Sequence, residues 1–228
     1  MVPEPVRKQL RRIQAAIMDV YAERSWSQEG EDMILLRFFE YRRDGFYVDV
    51  GAHHPRRFSN TCALYRRGWH GINIDATPGA MQAFRRERPR DVNIEAAVSR
   101  DGRDLVLQQY DESALNRFDT STARQLDAAR FQASSKVTMK TRTLADLMTK
   151  HVPAGQQIDL LSVDVEGMDL EVLEGNDWSK YRPHCVLVEL VVNSVREAQA
   201  SDIHRYLQNL GYDLFAKTMY TLFYTRRA

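Results

Sequence analysis

The chain has 228 residues, 32 Lys and Arg against 31 Asp and Glu, and 43% hydrophobic residues, which describes one soluble globular domain with enough apolar residues for a sizeable core. A mean hydropathy of −0.49 and apolar runs no longer than Val186 to Val192, itself broken by Glu189, exclude a membrane-spanning helix. Cys62 and Cys185 are too few for a disulfide framework or a four-thiolate zinc site, and no secretory leader pattern opens the chain, so a reducing, cytoplasmic setting is expected. The net charge of +1 argues against a generic nucleic-acid binder but conceals an asymmetry. Eight arginines and two acids lie between Arg56 and Arg90, whereas eight acids and two basic residues lie between Asp159 and Glu189. The arginines suit either the solvated faces of two helices or a recognition surface for an anionic acceptor.

In chain order, residues 1–26 carry Leu10, Ile13, Ile17, Val20 and Tyr21 at helical spacing behind Arg7, Lys8, Arg11 and Arg12. This predicts an amphipathic helix that docks on the body. Its basic start also suits peripheral contact with an anionic membrane, a reading that Pro3, Glu4, Pro5, Asp19 and Glu23 weaken. Residues 27–228 then form the main domain. Ser27 is placed to cap a helix through Met33, Leu35, Leu36 and Phe39; Phe46 to Ala52 is a β run ending in glycine and alanine; Ser59 to Arg67 is helical. Ile72 to Ala76 is a second strand, and Pro78 opens a helix toward Arg88. Strands follow at Val92 to Ser99 and Leu105 to Tyr110. Asp111 to Ser135 is polar and without an apolar stripe, a candidate lid or substrate-selecting insert. Beyond it come a strand at Val137 to Thr141, a helix at Leu144 to His151, a buried strand at Ile158 to Val165 and a helix at Met168 to Leu173. A strand at Val186 to Val192, a helix at Ser201 to Leu210 and a closing β pair across Tyr212 to Thr225 complete the chain. Such alternation predicts an α/β fold with a mostly parallel sheet covered on both faces.

In an open parallel sheet, ligands bind beyond the carboxyl ends of the strands, so the residues that end each strand are the candidates. Gly51 allows a tight turn and close approach of a ligand, and Asp75 ends the next strand, where a carboxylate can accept from both hydroxyls of a ribose. After Gly51 come Ala52, His53, His54 and Pro55 rather than further glycines. That disfavours a pyrophosphate and favours a nucleoside cofactor without one, of which S-adenosylmethionine is the commonest. Asp164 and Glu166 share one strand face by alternation and could hold a sulfonium-bearing amino acid, take a proton or ligate a divalent cation. Glu166 and Asp169 equally suit the N-terminus of the next helix. Glu189, an acid within an apolar strand, lines an acceptor pocket or pairs with an arginine. His54, with a reference pKa of about 6.5, or its neighbour His53, is a candidate base. Either histidine could also complete a metal site with Asp164 and Glu166, although the sequence does not require a metal.

Gly45 to Ala52, Ile72 to Asp75, Asn93 to Ser99, Thr141 to Leu144 and Ile158 to Gly167 together resemble the FkbM family of S-adenosylmethionine-dependent methyltransferases, from about Ser27 to the C-terminus. The resemblance implies a Rossmann-like class I methyltransferase fold and O-methylation of a hydroxyl on a sugar, another glycan or a polyketide-type small molecule. By the same resemblance Asp49, Gly51 and Ala52 match the first cofactor motif, Asp75 and Ala76 the ribose-binding strand end, and Asp164 and Glu166 the acidic strand end beside the sulfonium. Ser27, Gln28, Glu31 and Asp32 match an upstream segment implied to lie over the cofactor. Two other readings remain. A nucleotide-dependent oxidoreductase or epimerase lacks support from the single glycine and the missing Tyr-x-x-x-Lys pair. A non-catalytic Rossmann-like binding module fits poorly with acids at Asp75, Asp164 and Glu166. Asp164-Val165-Glu166-Gly167 is also not the Pro-Pro-aromatic signature of a nucleic-acid adenine methyltransferase, so the expected partner is a small-molecule or glycan acceptor.

Overall fold

In a computed structural model, residues 3–9, 21–118 and 133–227 are described. Phe46–Val50 (β1), His70–Asp75 (β2), Val92–Glu95 (β3), Leu160–Val163 (β7), Cys185–Glu189 (β8), Tyr212–Lys217 (β9) and Thr221–Arg226 (β10) make a seven-stranded sheet in the order β3-β2-β1-β7-β8-β10-β9. The first five strands in that order pair in parallel, and β10 pairs antiparallel with β8 and β9. The order reverses at β1, so a crevice opens beside the ends of β1 and β7. β-Branched and apolar residues dominate β1, β7 and β8, as burial on both faces requires.

Glu31–Phe38 (α1) and Cys62–Arg67 (α2) cover one face with Leu35, Leu36, Ala63 and Leu64 against Tyr47, Leu160 and Leu187. Met81–Glu87 (α3) packs Met81 and Phe84 against Ala52. Leu144–His151 (α4), Asp169–Glu174 (α5) and Asp202–Asn209 (α7) cover the other face through Leu144, Leu147, Val172, Leu173, Ile203 and Leu207. Val195–Ala200 (α6), a short helix absent from the sequence reading, precedes α7. Its signal is local: Ser194 Oγ accepts from the Glu197 amide at 3.1 Å while Glu197 accepts from the Asn193 amide at 2.9 Å, a capping box.

The largest departure from expectation lies between β3 and α4. Asp104–Tyr110 (β4), Arg117–Phe118 (β5) and Ala133–Lys140 (β6) leave the main sheet and pair antiparallel in a separate three-stranded flap, ordered β5-β4-β6. The expected insert is thus strand at both of its described ends; residues 119–132 lie outside the described part. Of the expected N-terminal helix, 4–9 are helical and exposed, and the stretch from 10 to 20 lies outside the described residues. No described helix is long and apolar enough to cross a membrane.

Candidate active site

Gly51 leaves β1 with φ +80°, and a Cβ there would stand 1.7 Å from the carbonyl oxygen of Asp164. The close approach of the β1 and β7 ends therefore requires glycine. The Gly51 and Ala52 amides both donate to the Ile74 carbonyl, at 2.9 and 3.1 Å, tying this turn to the end of β2. There Asp75 is buried, and its carboxylate accepts from the His53 amide at 2.8 Å and the Thr77 amide at 2.7 Å. Two backbone donors fix its orientation, and each oxygen keeps a lone pair for a ligand. His53 adopts φ 53°, a left-handed conformation rare outside glycine.

A cleft opens at this point, bordered by Gln28, Gly51, His53, Asp75, Ala76 and Asp164. Ile74, Val98, Leu107 and Phe118 give it apolar walls. A deeply set carboxylate within apolar walls suits a nucleoside, its hydroxyls on the acid and its base against hydrocarbon. The residues present therefore fit S-adenosylmethionine. Leu107, Asn116 and Phe118 come from the flap. Asn116 and Phe118 belong to the segment expected as a lid or substrate-selecting insert, whereas Leu107 is expected only as part of a strand, and no local pattern reveals that a separate sheet folds back over the cleft.

A second cavity lies beyond β8, lined by Asp169, Leu170, Glu189, Leu190, Val191 and Ile203, and it meets the first at Glu166, which borders both. One ligand oxygen each from Asp164, Glu166 and Glu189 lies within 4.8 Å of the others. This convergence does not come from strand alternation, because β7 ends at Val163. It comes from the turn after it, where Glu166 takes φ 55° and Gly167 φ 100° and Asp169 accepts from the Val165 and Gly167 amides, both at 3.1 Å. Asp164 and Glu189 hydrogen-bond to each other, which requires a proton between them. Burial, then Asp169 and Glu166, raises the Asp164 carboxyl well above the usual range, and burial with Asp164 beside it pushes Glu189 up to about 11. Burial also raises Asp169, to about 7, and lowers His53, which keeps that ring neutral near pH 7.

The family description "Methyltransferase FkbM domain" matches residues 49–214. The chain belongs to the FkbM methyltransferase family. S-adenosylmethionine is the cofactor that membership implies. The chain is also 36% identical over 93 residues to methyltransferase sdnD of Sordaria araneosa, an alignment covering 37% of this chain and 34% of that protein. It thus spans about a third of the length of this curated relative. A TehB-like S-adenosylmethionine-dependent methyltransferase from Corynebacterium glutamicum superimposes with a TM-score of 0.44 at 12% identity, over 98% of this chain and 97% of that one.

The FkbM-type motif residues divide between the cleft and the core. Gln28, Gly51, Asp75, Ala76, Asp164 and Glu166 border the cleft, as does His53. Four expected site residues do not. Asp49 turns to the face under α1 and α2, where Thr61 Oγ1 donates to it at 2.7 Å, because alternation sends its side chain opposite to those of Val48 and Val50. Ala52 is buried against Met81 and Phe84. Glu31 accepts from Thr221 Oγ1 at 3.1 Å and holds α1 to β10. His54 faces away, its Nδ1 accepting from the Arg56 and Arg57 amides at 3.0 Å each. The expected His54–Asp164–Glu166 metal set is therefore not brought together; Glu189 stands with the two acids instead.

The arginine cluster is dispersed as well. Arg88 is fully buried, Arg90 lies 3.8 Å over the Tyr65 ring, and Arg56 and Arg57 pair with Glu87 and Glu112.

Proposed function

We propose that this protein transfers a methyl group from S-adenosylmethionine to a hydroxyl of a sugar, glycan or polyketide-type acceptor seated in the second cavity. The observation that carries the reading is the shared wall: Glu166 borders both the cofactor cleft and the cavity beyond β8, so donor and acceptor would meet at its carboxylate. Bound S-adenosylmethionine supplies an electrophilic methyl group, and in-line placement provides much of the acceleration. Asp75 holds the nucleoside hydroxyls, Gln28 covers the cleft, and the apolar walls keep out water. Leu170, Leu190 and Ile203 seat the hydrocarbon part of the acceptor. The acids between the cavities orient its hydroxyl and accept the one proton it loses as the methyl group arrives, while His53 lines the cofactor side.

A divalent cation on Asp164, Glu166 and Glu189 is a second reading, favoured by the convergence of three carboxylate oxygens. It calls for turnover that a chelator removes and magnesium or manganese restores. The test of the main reading is calorimetric titration with S-adenosylmethionine and S-adenosylhomocysteine, followed by mass spectrometry of hydroxylated acceptors incubated with enzyme and cofactor. Mass gain of one methyl group on a hydroxyl supports it; binding of a nicotinamide dinucleotide instead overturns it.

A further inference from the structure

The cofactor cleft is bridged at its mouth by two side-chain clasps between the sheet and the flap. Arg57, in the loop after β1, donates from Nη1 and Nη2 to Glu112 Oε1 and Oε2 at 2.9 and 2.8 Å. Thr77, in the loop after β2, accepts from Asn116 Nδ2 at 3.1 Å. Glu112 and Asn116 flank the 3₁₀ turn Ser113–Leu115, and Ser113, Ala114, Asn116, Arg117 and Phe118 form the flap's side of the cleft. Arg57 also lies 4.5 Å over the Phe58 ring, which stacks against His53 at 6.3 Å; Phe58 and His53 line the same cleft. One ion pair thus joins two loops that each carry residues lining the cleft.

We propose that residues 112–118 are a gate over the cofactor cleft and that the Arg57–Glu112 pair is its latch. The proposal rests on reading the cleft as the cofactor site. Its energetics suit a gate. Behind the latch, β5 pairs with β4 at Leu107–Phe118 and Gln108–Arg117. Asn116 accepts from the Tyr110 amide at 2.8 Å and Arg117 donates to the Tyr110 hydroxyl at 3.2 Å, so 112–118 moves with its own short strand. The flap's apolar contacts with the body centre on Leu107, Phe118, Ala97 and Met168. The latch side chains are 49% and 37% exposed, so the pair is bidentate yet open to solvent and salt, and it can part often. Parting it frees both loops at once. Entry and departure of the cofactor and its demethylated product then follow latch opening.

Two readouts on the full chain test this. In the ligand-free protein, amide hydrogen exchange across 112–118 reports opening of the gate; stopped-flow release of S-adenosylhomocysteine reports passage through it. Arg57→Gln and Glu112→Gln should each speed exchange and release about threefold to fivefold, and the swap Arg57→Glu with Glu112→Arg should bring both back to near wild type. Raised salt should speed the wild type and leave the single variants unchanged. Wild-type exchange in both single variants, or a swap that behaves like them, overturns the gate. Exchange that changes as expected in a protein that does not bind S-adenosylhomocysteine supports the gate and refutes the cofactor reading, so the two failures are distinct.

Discussion

Two groups of acids sit on this sheet under opposite conditions. Beneath α1 and α2, Asp49 and Asp91 share a buried network with Arg88. The guanidinium donates to Thr61 Oγ1 at 2.8 Å, Ser59 Oγ at 2.7 Å, Asn73 Oδ1 at 3.3 Å and the Pro55 carbonyl. Tyr47 and Asn73 donate to Asp91 at 2.5 and 2.9 Å. At the carboxyl edge, Glu166, Asp169 and Glu189 border a cavity that no described Lys or Arg lines, and Asp164 joins them with a shared proton. Burial raises Asp49 and Asp91 too, but this first group is answered from within the fold by Arg88 and neutral donors, and its polar atoms are largely used up. The second holds its charge down by retaining a proton, an arrangement of raised carboxyls in a cleft that suits a ligand site. On the proposed reading, acids of one sheet thus serve stability in one place and ligand chemistry in the other.

The comparison breaks most visibly at Arg88. Arg88→Met leaves Asp49 and Asp91 without their cation and should cost about 3–5 kcal/mol, read as the midpoint shift in urea unfolding; a loss under 1 kcal/mol would make the network incidental. Gly51→Ala drives a Cβ into the Asp164 carbonyl at positive φ and should cost about 2–4 kcal/mol while separating the ends of β1 and β7. An alanine variant with wild-type melting would show that these ends can move apart freely. Asp75→Ala should weaken S-adenosylhomocysteine by about 1.5–3 kcal/mol in calorimetry and, by leaving the His53 and Thr77 amides unpaired, cost about 1–3 kcal/mol of stability.

A dependence on pH sharpens the distinction further. Glu189 binds its proton more tightly folded than unfolded, its value rising from 4.5 to about 11. Its contribution is therefore fully present below the ordinary carboxylate range and is lost as pH rises toward the folded value. In chelated buffer, wild-type stability should fall between pH 6 and 9 relative to Glu189→Gln, by at most about 1.4 kcal/mol per pH unit. Parallel pH profiles for the two proteins would remove Glu189 from the protonated pair.

Much of the fold was legible because its signals are local. Glycine after β1, an acid closing β2 and the change of period between strands and helices placed the central strands and the Gly51–Asp75 edge. Two things escaped. Asp49 stands two residues before Gly51 and matches the same motif, yet its side chain lies under α1 and α2 while Gly51 turns out of the strand at positive φ beside the cleft; strand alternation against Val48 and Val50 carried the information on Asp49. The flap escaped for a physical reason, since alternation in β4 and β6 marks a strand without saying which sheet it joins, and that choice rests on non-local pairing. With it went Leu107, Asn116 and Phe118 as walls of the cleft. The convergence of Asp164, Glu166 and Glu189 was anticipated in part, but it depends on a left-handed turn at Glu166 that the residue itself does not announce.

The central claim, that acids at neighbouring strand ends divide between fold and ligand, is tested most directly by one paired measurement. S-adenosylhomocysteine is titrated into Asp49→Asn and Asp75→Asn, each with its urea unfolding curve. Asp75→Asn is expected to lose affinity with only a small shift of its unfolding midpoint, since the amide oxygen still accepts from one of the two backbone donors, while Asp49→Asn is expected to keep affinity and shift its midpoint markedly. The reverse pattern, with Asp49→Asn failing to bind and Asp75→Asn binding as wild type, would contradict it.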